Sequence, residues 1–440
     1  MNELAHCISG KSAVKIAECV ETAIQDGRVV TGERLPAVRE LARRLTVSPA
    51  TVAAAYQSLQ TRGLVFADGR RGTRVCLRPT PRRIASTVPP PDVRNLADGN
   101  PDPALFPCME TALRSISPAP RLYGQRPHHA ELVEIVARDL EREGVCRGEI
   151  TFVNGAMDGV ERVLAEMLRA GDRVGVEDPC LGNILDLVLS RGLSLIPIPV
   201  DSEGPLPDEM EHACRQGIRA LILTPRAQNP TGAAISEDRA RAMAPILRRH
   251  PDVLLIEDDH AAWISDVTLH SLHTAAARWV YVRSVSKALN PDLRLAAVTG
   301  DGDTMRRLLD RMAVGERWVS HVLQRIACAM LSDAGVRQSL KTAAHVYTSR
   351  RESLIAALRD VGVDSTGASG YNVWIPVAEE TVTVQGLLQR GWAVAAGERY
   401  RINSPPAIRI TAATLQPQES TRLAADLDAI LQPARRTATV

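Results

Sequence analysis

Two regimes of apolar spacing run along this chain. Over residues 11–26, Val14, Ile16, Ala17, Val20, Ala23 and Ile24 recur mostly at three- and four-residue steps and predict an amphipathic helix stopped by Gly27. A turn with Gly32 and Leu35-Pro36 leads to a second helix whose buried stripe is Val38, Leu41, Ala42 and Leu45, with Pro36 in its first turn. Thr46-Val47-Ser48 makes a tight connection; Ser48 is the N-cap and Pro49 the first position of a third helix, about residues 49–62, that buries Val52, Tyr56 and Leu59. Two short helices across a three-residue turn form a helix-turn-helix, whose second helix enters the major groove of DNA. Leu64-Val65-Phe66, a turn around Asp68-Gly69-Arg70-Arg71-Gly72, and Thr73-Arg74-Val75 then read as a two-stranded wing with a charged tip.

Residues 78–95 carry neither pattern. They are rich in Pro, Arg and Ser, and Pro89-Pro90-Pro91 favours an extended, semi-stiff tether. From Leu96 onward, long helical stretches alternate with short apolar runs: Arg173–Val176, Leu193–Ile198, Ala220–Thr224, Val253–Ile256, Val280–Arg283 and Ala296–Val298. Short buried strands separated by helices predict a largely parallel sheet covered on both faces, with ligands beyond the carboxyl ends of its strands.

A chain of 440 residues exceeds one ordinary domain. Its composition is globular, with 45% hydrophobic and 24% charged residues. It holds no apolar run of about 18 residues and starts without a signal-peptide pattern, so a cytoplasmic protein with no membrane partner is expected. The eight cysteines form no CxxC pair, which argues against a zinc site and a disulfide framework and suggests reduced thiols. Net charge is uneven: residues 1–83 hold 14 Lys and Arg against 7 Asp and Glu, or +7, which leaves −5 for the rest. A basic head on a mildly acidic body fits a chain whose head alone meets phosphates.

The body's candidate chemistry lies at predicted strand ends. Asn154-Gly155-Ala156-Met157-Asp158 follows Ile150–Val153 and opens a helix, whose N–H groups and dipole can bind an anion. Asp258, in Glu257-Asp258-Asp259-His260, offers a half-buried carboxylate able to pair with a protonated pyridine nitrogen, while Glu257 and Asp259 are read as structural or solvated. Lys287, in Ser284-Val285-Ser286-Lys287, stands seven residues before Arg294; a desolvated lysine beside cationic neighbours has the lowered pKa that Schiff-base chemistry requires. The Ser284 hydroxyl and the Arg294 fork suit a phosphate. With Asn229-Pro230-Thr231-Gly232 upstream, an amine for an aldehyde, a carboxylate for a ring nitrogen and a phosphate cradle meet the needs of pyridoxal 5'-phosphate.

The run GERLPAVRELARRLTVSPATVAAAYQSLQTRGLVFADGRRGTRV, within residues 11–77, resembles the winged helix-turn-helix of the GntR family. That resemblance implies DNA contacts at Arg34, Arg39, Ser48, Thr51, Arg70, Arg71 and Thr73. The family commonly has Arg where this chain has Pro49, so one frequent contact is missing. Residues 96–430 resemble the fold-type I aminotransferases. By that resemblance Lys287 is the Schiff-base lysine, Asp258 holds the ring nitrogen, Asn229 binds the phenolic oxygen, and Ala156, Met157, Ser284 and Arg294 hold the phosphate. Arg409 matches the arginine that grips an α-carboxylate, and Tyr123 matches a tyrosine reaching the phosphate of a neighbouring subunit, which implies a homodimer. Leu181 stands where an aromatic ring usually stacks, and His260 where a tyrosine usually donates to the phenolic oxygen. Leu can pack on a ring and imidazole can donate, so these departures spare binding more than tuned transamination.

A GntR-type head on an aminotransferase-like body is the organisation of the MocR/PdxR family of bacterial transcription regulators, and the EDPC, NGAMDG and EDDH variants resemble its PtsJ-like branch. The implied fold is a mainly helical winged helix-turn-helix (1–77), a linker (78–95) and an α/β aminotransferase-like domain (96–440). The implied function is binding of operator double-stranded DNA under control of pyridoxal 5'-phosphate, a B6 vitamer or an amino compound. An active aminotransferase with an accessory head is the alternative.

Overall fold

The computed structural model describes residues 8–25, 29, 32–61, 64–67, 72–75, 89–90, 92–116, 119–145 and 148–437. The chain divides into two compact units, one of residues 1–84 with 168–174 and 185–195, the other of the remainder. In the head, helices α1 (Ala13–Gln25), α2 (Val38–Leu45) and α3 (Pro49–Thr61) close on a core that includes Ile16, Val20, Leu41, Val52, Ala55 and Leu59. Val14, expected in the buried stripe of α1, is 66% exposed. Two helical steps turn it about 200° from Ile16, onto the face opposite the core. Pro36 lies before α2 rather than inside its first turn, because Ala37 is the N-cap. Its carbonyl instead accepts from the Tyr56 hydroxyl at 2.8 Å, tying the entry of α2 to α3. Thr46, left-handed at φ 55°, ends α2, and the Ser48 hydroxyl accepts the Thr51 N–H at 3.1 Å to cap α3.

The wing strands β1 (Val65–Ala67) and β2 (Thr73–Val75) pair antiparallel, Val65 opposite Val75. A stretch that the sequence pattern assigned to a turn joins them. Arg34 bridges Arg74, the Leu35 N–H donates to Thr73 at 2.8 Å, and the Val75 N–H donates to Glu33 at 2.9 Å. β2 thus has a partner on each side.

The body opens with β3 (Arg94–Asn95), inside the stretch read as linker. Its large sheet contains β4 (Ile150–Val153), β5 (Arg173–Asp178), β6 (Ser194–Asp201), β7 (Gly204–Pro205), β8 (Ala220–Leu223), β9 (Leu254–Asp259), β10 (Arg278–Ser284) and β11 (Ala296–Gly300), in the order β4-β11-β10-β9-β8-β5-β6-β7. β8, β9 and β10 are parallel, as expected, but β11 runs antiparallel to both β10 and β4. The reason is the connection: residues 285–295 hold only one 3-10 turn, too little chain for the helical crossover that a parallel return needs.

A smaller sheet combines β12 (Asn372–Pro376), β14 (Ala395–Ala396) and β15 (Ala407–Thr411) in the order β12-β15-β14. Val373, Ile375, Ile408 and Ile410 pack there with Leu354, Leu358 and Leu423 from the helices Ala334–Asp360 and Pro417–Thr437. β13 (Trp392–Ala393) pairs parallel with β3. Among the described residues no helix is long and apolar enough to cross a membrane.

Candidate ligand site and DNA interface

Strand register sets the body's site. Val153, ending β4, pairs with Ala296, and Ala296 pairs with Ser284, ending β10; one strand over, Asp258 pairs with Val282. Asn154-Gly155, Ser284, Arg294 and Asp258 therefore share one edge of the sheet. Arg294 is left-handed at φ 43°, and its Nη2 donates to the Asn154 carbonyl at 3.1 Å. The guanidinium lies so close over Gly155 that a Cβ there would stand 2.7 Å from Nη2, and Gly155 itself is at φ 93°. Only glycine meets both conditions. Ala156 and Met157 open the helix Ala156–Met167, and the hydroxyl of buried Ser284 accepts the Ser286 N–H at 3.2 Å. Helix amides, a hydroxyl and a guanidinium at one end of the strands are groups that could hold an anion.

Half-buried Lys287 donates from Nζ to the Gly99 carbonyl at 3.0 Å, and the Tyr371 hydroxyl donates to the same oxygen at 3.2 Å. Burial, and then repulsion from Arg409, push the Lys287 ammonium down to about 8 against the pull of Asp98. Arg409 on β15 is 2% exposed, and its fork donates to neutral acceptors, Asn229 Oδ1 at 3.0 Å and the Ala97 carbonyl. It lies over the Tyr400 ring, 5.0 Å from the centroid, and burial holds its pKa below the usual arginine value. A buried guanidinium bonded to neutral groups is a ready counter-charge for a carboxylate.

Asp258 is buried, and its Oδ1 has no hydrogen-bond partner among the described residues. Its other oxygen lies 3.8 Å from His260 Nδ1. A buried carboxylate oxygen left without a donor could accept from a protonated ring nitrogen. Behind Asp258, at the end of β5, burial pushes the Glu177 carboxyl up to about 8 despite hydrogen bonds from Gln228 and Thr224. Asp178 is also buried: Oδ1 accepts from the Ile402 N–H at 2.8 Å and the Ser404 hydroxyl at 2.9 Å, and Oδ2 from the N–H groups of Asn403 at 2.7 Å and Ser404 at 3.0 Å. Leu181 is half-buried, following Cys180, whose N–H donates to the Tyr400 carbonyl at 2.6 Å.

Glu257 and Asp259 are buried structural groups rather than solvated ones. Glu257 accepts from Ser271 and from the Leu272 N–H at 2.9 Å. Asp259 takes Arg226 at 2.8 Å and the Tyr281 hydroxyl, within a network that includes Arg283 and Glu143. Tyr123 stands apart from the cluster. It is 82% exposed, with its ring 5.6 Å from Trp318 and under the Arg317 guanidinium. Sequence reasoning missed Gly99, Tyr371, Tyr400, Glu177 and Gln228; Glu177 alone carried a signal, a carboxylate closing an apolar strand run.

In the head, Arg39 is exposed on α2, and exposed Arg34, bridged to β2, lies against Gly72. Ser48 and Thr51 are joined through their hydroxyls at 2.8 Å, so both serve the cap of α3 at its exposed start. Thr73 begins β2 half-buried. Arg70 and Arg71 lie outside the described residues, as do residues 78–88 and 91 of the linker.

Family models match both units: bacterial regulatory proteins of the gntR family over residues 12–75, and aminotransferase class I and II over residues 91–427. The vitamin B6 salvage pathway transcriptional repressor PtsJ of Salmonella typhimurium is 39% identical over 423 residues, spanning 96% of this chain and 98% of its own length. This chain belongs to the MocR/PdxR family of transcription regulators. The pyridoxine biosynthesis regulator PdxR of Corynebacterium glutamicum is 25% identical over 405 residues, 88% of each chain. The Pyrococcus horikoshii kynurenine aminotransferase superposes with a TM-score of 0.69 at 20% identity, over 78% of this chain and 91% of its own, which shows the fold of the body. Relatives that share both units over nearly their whole length are regulators, so the protein is a transcription regulator with an aminotransferase-like body rather than an enzyme with an incidental head.

Proposed function

We propose that this regulator binds operator DNA through its head and reads pyridoxal 5'-phosphate, a B6 vitamer or an amino compound in its body. The observation that carries the reading is the unpartnered Oδ1 of buried Asp258, on the same sheet edge as the anion cradle of Gly155 and Arg294. The names of the relatives PtsJ and PdxR point to B6 metabolism.

When bound, the cofactor supplies an electrophilic aldehyde on an electron-withdrawing ring. Lys287 would hold that aldehyde with an amine whose pKa is already lowered, and Asp258 would hold the ring nitrogen as its counter-charge. Asn229 and His260 would offer hydrogen-bond donors to its phenolic oxygen, and Leu181 would offer an apolar surface to its ring. Ala156, Met157, Ser284 and Arg294 hold the phosphate, Arg409 receives an effector's carboxylate, and exposed Tyr123 reaches the site of a second copy in a homodimer. Arg34, Arg39, Ser48, Thr51, Arg70, Arg71 and Thr73 meet the DNA, and residues 78–95 tether the head (1–77) to the body (96–440) in the cytoplasm. Only a ligand with different affinity for two body conformations can alter DNA binding.

The test is borohydride reduction of protein incubated with pyridoxal 5'-phosphate, then peptide mapping, beside a gel shift on the DNA upstream of the protein's own gene with and without the cofactor. The reading expects a reduced adduct at Lys287, absent in Lys287→Ala, and a cofactor-dependent shift. Material that stays colourless with Lys287 unmodified sinks it.

A further inference from the structure

Apart from the strand-end cluster, the start of the helix Ala130–Arg142 meets the helix His321–Ser332. His129, Glu131 and Cys328 each bring one ligand atom to this point, and the three atoms lie within 4.8 Å of one another. Gln324, fully buried on the second helix, fixes the turn that carries His129. Its Oε1 accepts the His129 N–H at 2.8 Å, and its Nε2 donates to the carbonyls of Pro127 at 3.2 Å and Val319 at 2.8 Å. Cys328 is buried, His129 half-buried and Glu131 exposed, so the cluster runs from the interior to the surface, where an ion can enter. The Nδ1 of His129 is buried and has no hydrogen-bond partner among the described residues, a state that buried polar atoms rarely keep.

We propose that His129, Glu131 and Cys328 form a divalent transition-metal site, with Zn²⁺ the fitting occupant. Imidazole, carboxylate and thiolate are the donor types this ion takes, and three protein ligands leave a fourth position for water. On binding, the Cys328 S–H bond breaks, a sulfur–zinc bond forms, and the proton leaves to solvent. The thiolate and the Glu131 carboxylate together cancel the two positive charges of the ion. That neutrality suits the surroundings, because Arg121 and Arg325 lie within electrostatic reach of His129 and would oppose a net positive site. Metal–ligand bonds of about 2.0–2.3 Å place tetrahedral donors about 3.3–3.8 Å apart, so the side chains close by about 1 Å, within a rotamer adjustment. The ion clips two helices whose ligands are too far apart in sequence to show as a cysteine motif.

The experiment titrates Co²⁺, a spectroscopic probe, into chelator-treated, tag-free, full-length protein, with Zn²⁺ as competitor. The site predicts tetrahedral d–d bands and a thiolate-to-cobalt band that Zn²⁺ displaces. Cys328→Ser loses the thiolate band, and His129→Gln and Glu131→Gln weaken binding by about 100-fold or more, beyond the loss of an outer-shell group. Cys108→Ser, at an exposed thiol, changes nothing. No thiolate band in the natural protein, or its survival in Cys328→Ser, overturns the site. Should Cys328→Ser fail to fold, Glu131→Gln decides, since that side chain is exposed: unchanged Co²⁺ affinity there is equally fatal.

Discussion

Lys287 Nζ donates to the Gly99 carbonyl at 3.0 Å, so the amine is held by a neutral acceptor and not by a carboxylate. Among the described residues no carboxylate pairs with it at that distance, and burial together with Arg409 pushes it down to about 8 against the pull of Asp98. The rate of pyridoxal 5'-phosphate attachment, followed by stopped-flow absorbance, is expected to rise about tenfold per pH unit toward pH 8 and level off above it. Levelling only near the ordinary lysine value of 10.5 would refute this. Linkage gives a second readout. Between about 8 and 10.5 the unfolded chain binds the proton that the folded chain has lost, so cofactor-free stability gains a rising contribution with pH there; below 8 both states are protonated and the cost of burying the charge is undiminished.

Gly155→Ala tests the cradle. A side chain at φ 93° costs about 1–2 kcal/mol of backbone strain, and the new Cβ, 2.7 Å from Arg294 Nη2, displaces the guanidinium. Cofactor affinity, measured by equilibrium dialysis, is expected to fall by about tenfold or more, the equivalent of 1.4 kcal/mol. Gly217→Ala, at φ 79° with open space around it, carries the strain without the collision and should leave affinity unchanged.

Acid stability should follow Asp259. Burial alone would raise this carboxyl, but Arg226 and then Arg283 outweigh it and bring it down to about 2. Its contribution is complete above the ordinary value of 3.8 and is lost as pH falls through about 2. Asp259→Asn leaves two buried guanidinium groups sharing Glu143 and is expected to cost about 3–5 kcal/mol by urea unfolding at neutral pH. Its stability curve should also lose the drop between pH 3.8 and 2 that the natural protein shows.

The head separates affinity from stability. Arg39→Ala, on exposed α2, is expected to weaken DNA binding uniformly across sequences and to lower the slope of log affinity against log salt by about one. Ser48→Ala removes the hydroxyl that caps α3 and should lower the stability of the head by about 1 kcal/mol. Calorimetry beside fluorescence anisotropy distinguishes the two; a Ser48→Ala head as stable as the natural one would exclude the capping role.

The α2–turn–α3 unit was legible because Leu41, Val52 and Leu59 follow local periodicity and Ser48 caps within its own turn. The placing of Asp258 and Ser284 near strand ends was legible because each comes two residues after an apolar run. The bridge from Arg34 to β2 was not, since it is made by pairing with residues distant in sequence and carries no alternation. The reversal of β11 depends on connection length rather than on Ala296–Val298, which reads the same in either direction. Gly99, Tyr371 and Tyr400 reach Lys287 and Arg409 from separate stretches of chain, each polar group or ring brought in by tertiary packing.

Asp178 suspends three consecutive amides, those of Ile402, Asn403 and Ser404, from the rim of β5. Only Pro405 and Pro406 separate that anchorage from β15, the strand that carries Arg409. Two rings with fixed φ give this span little slack. It is a short tie rod: a displacement of the β15 strand that carries Arg409 meets the mooring at Asp178 within a few residues instead of dissipating in a loop.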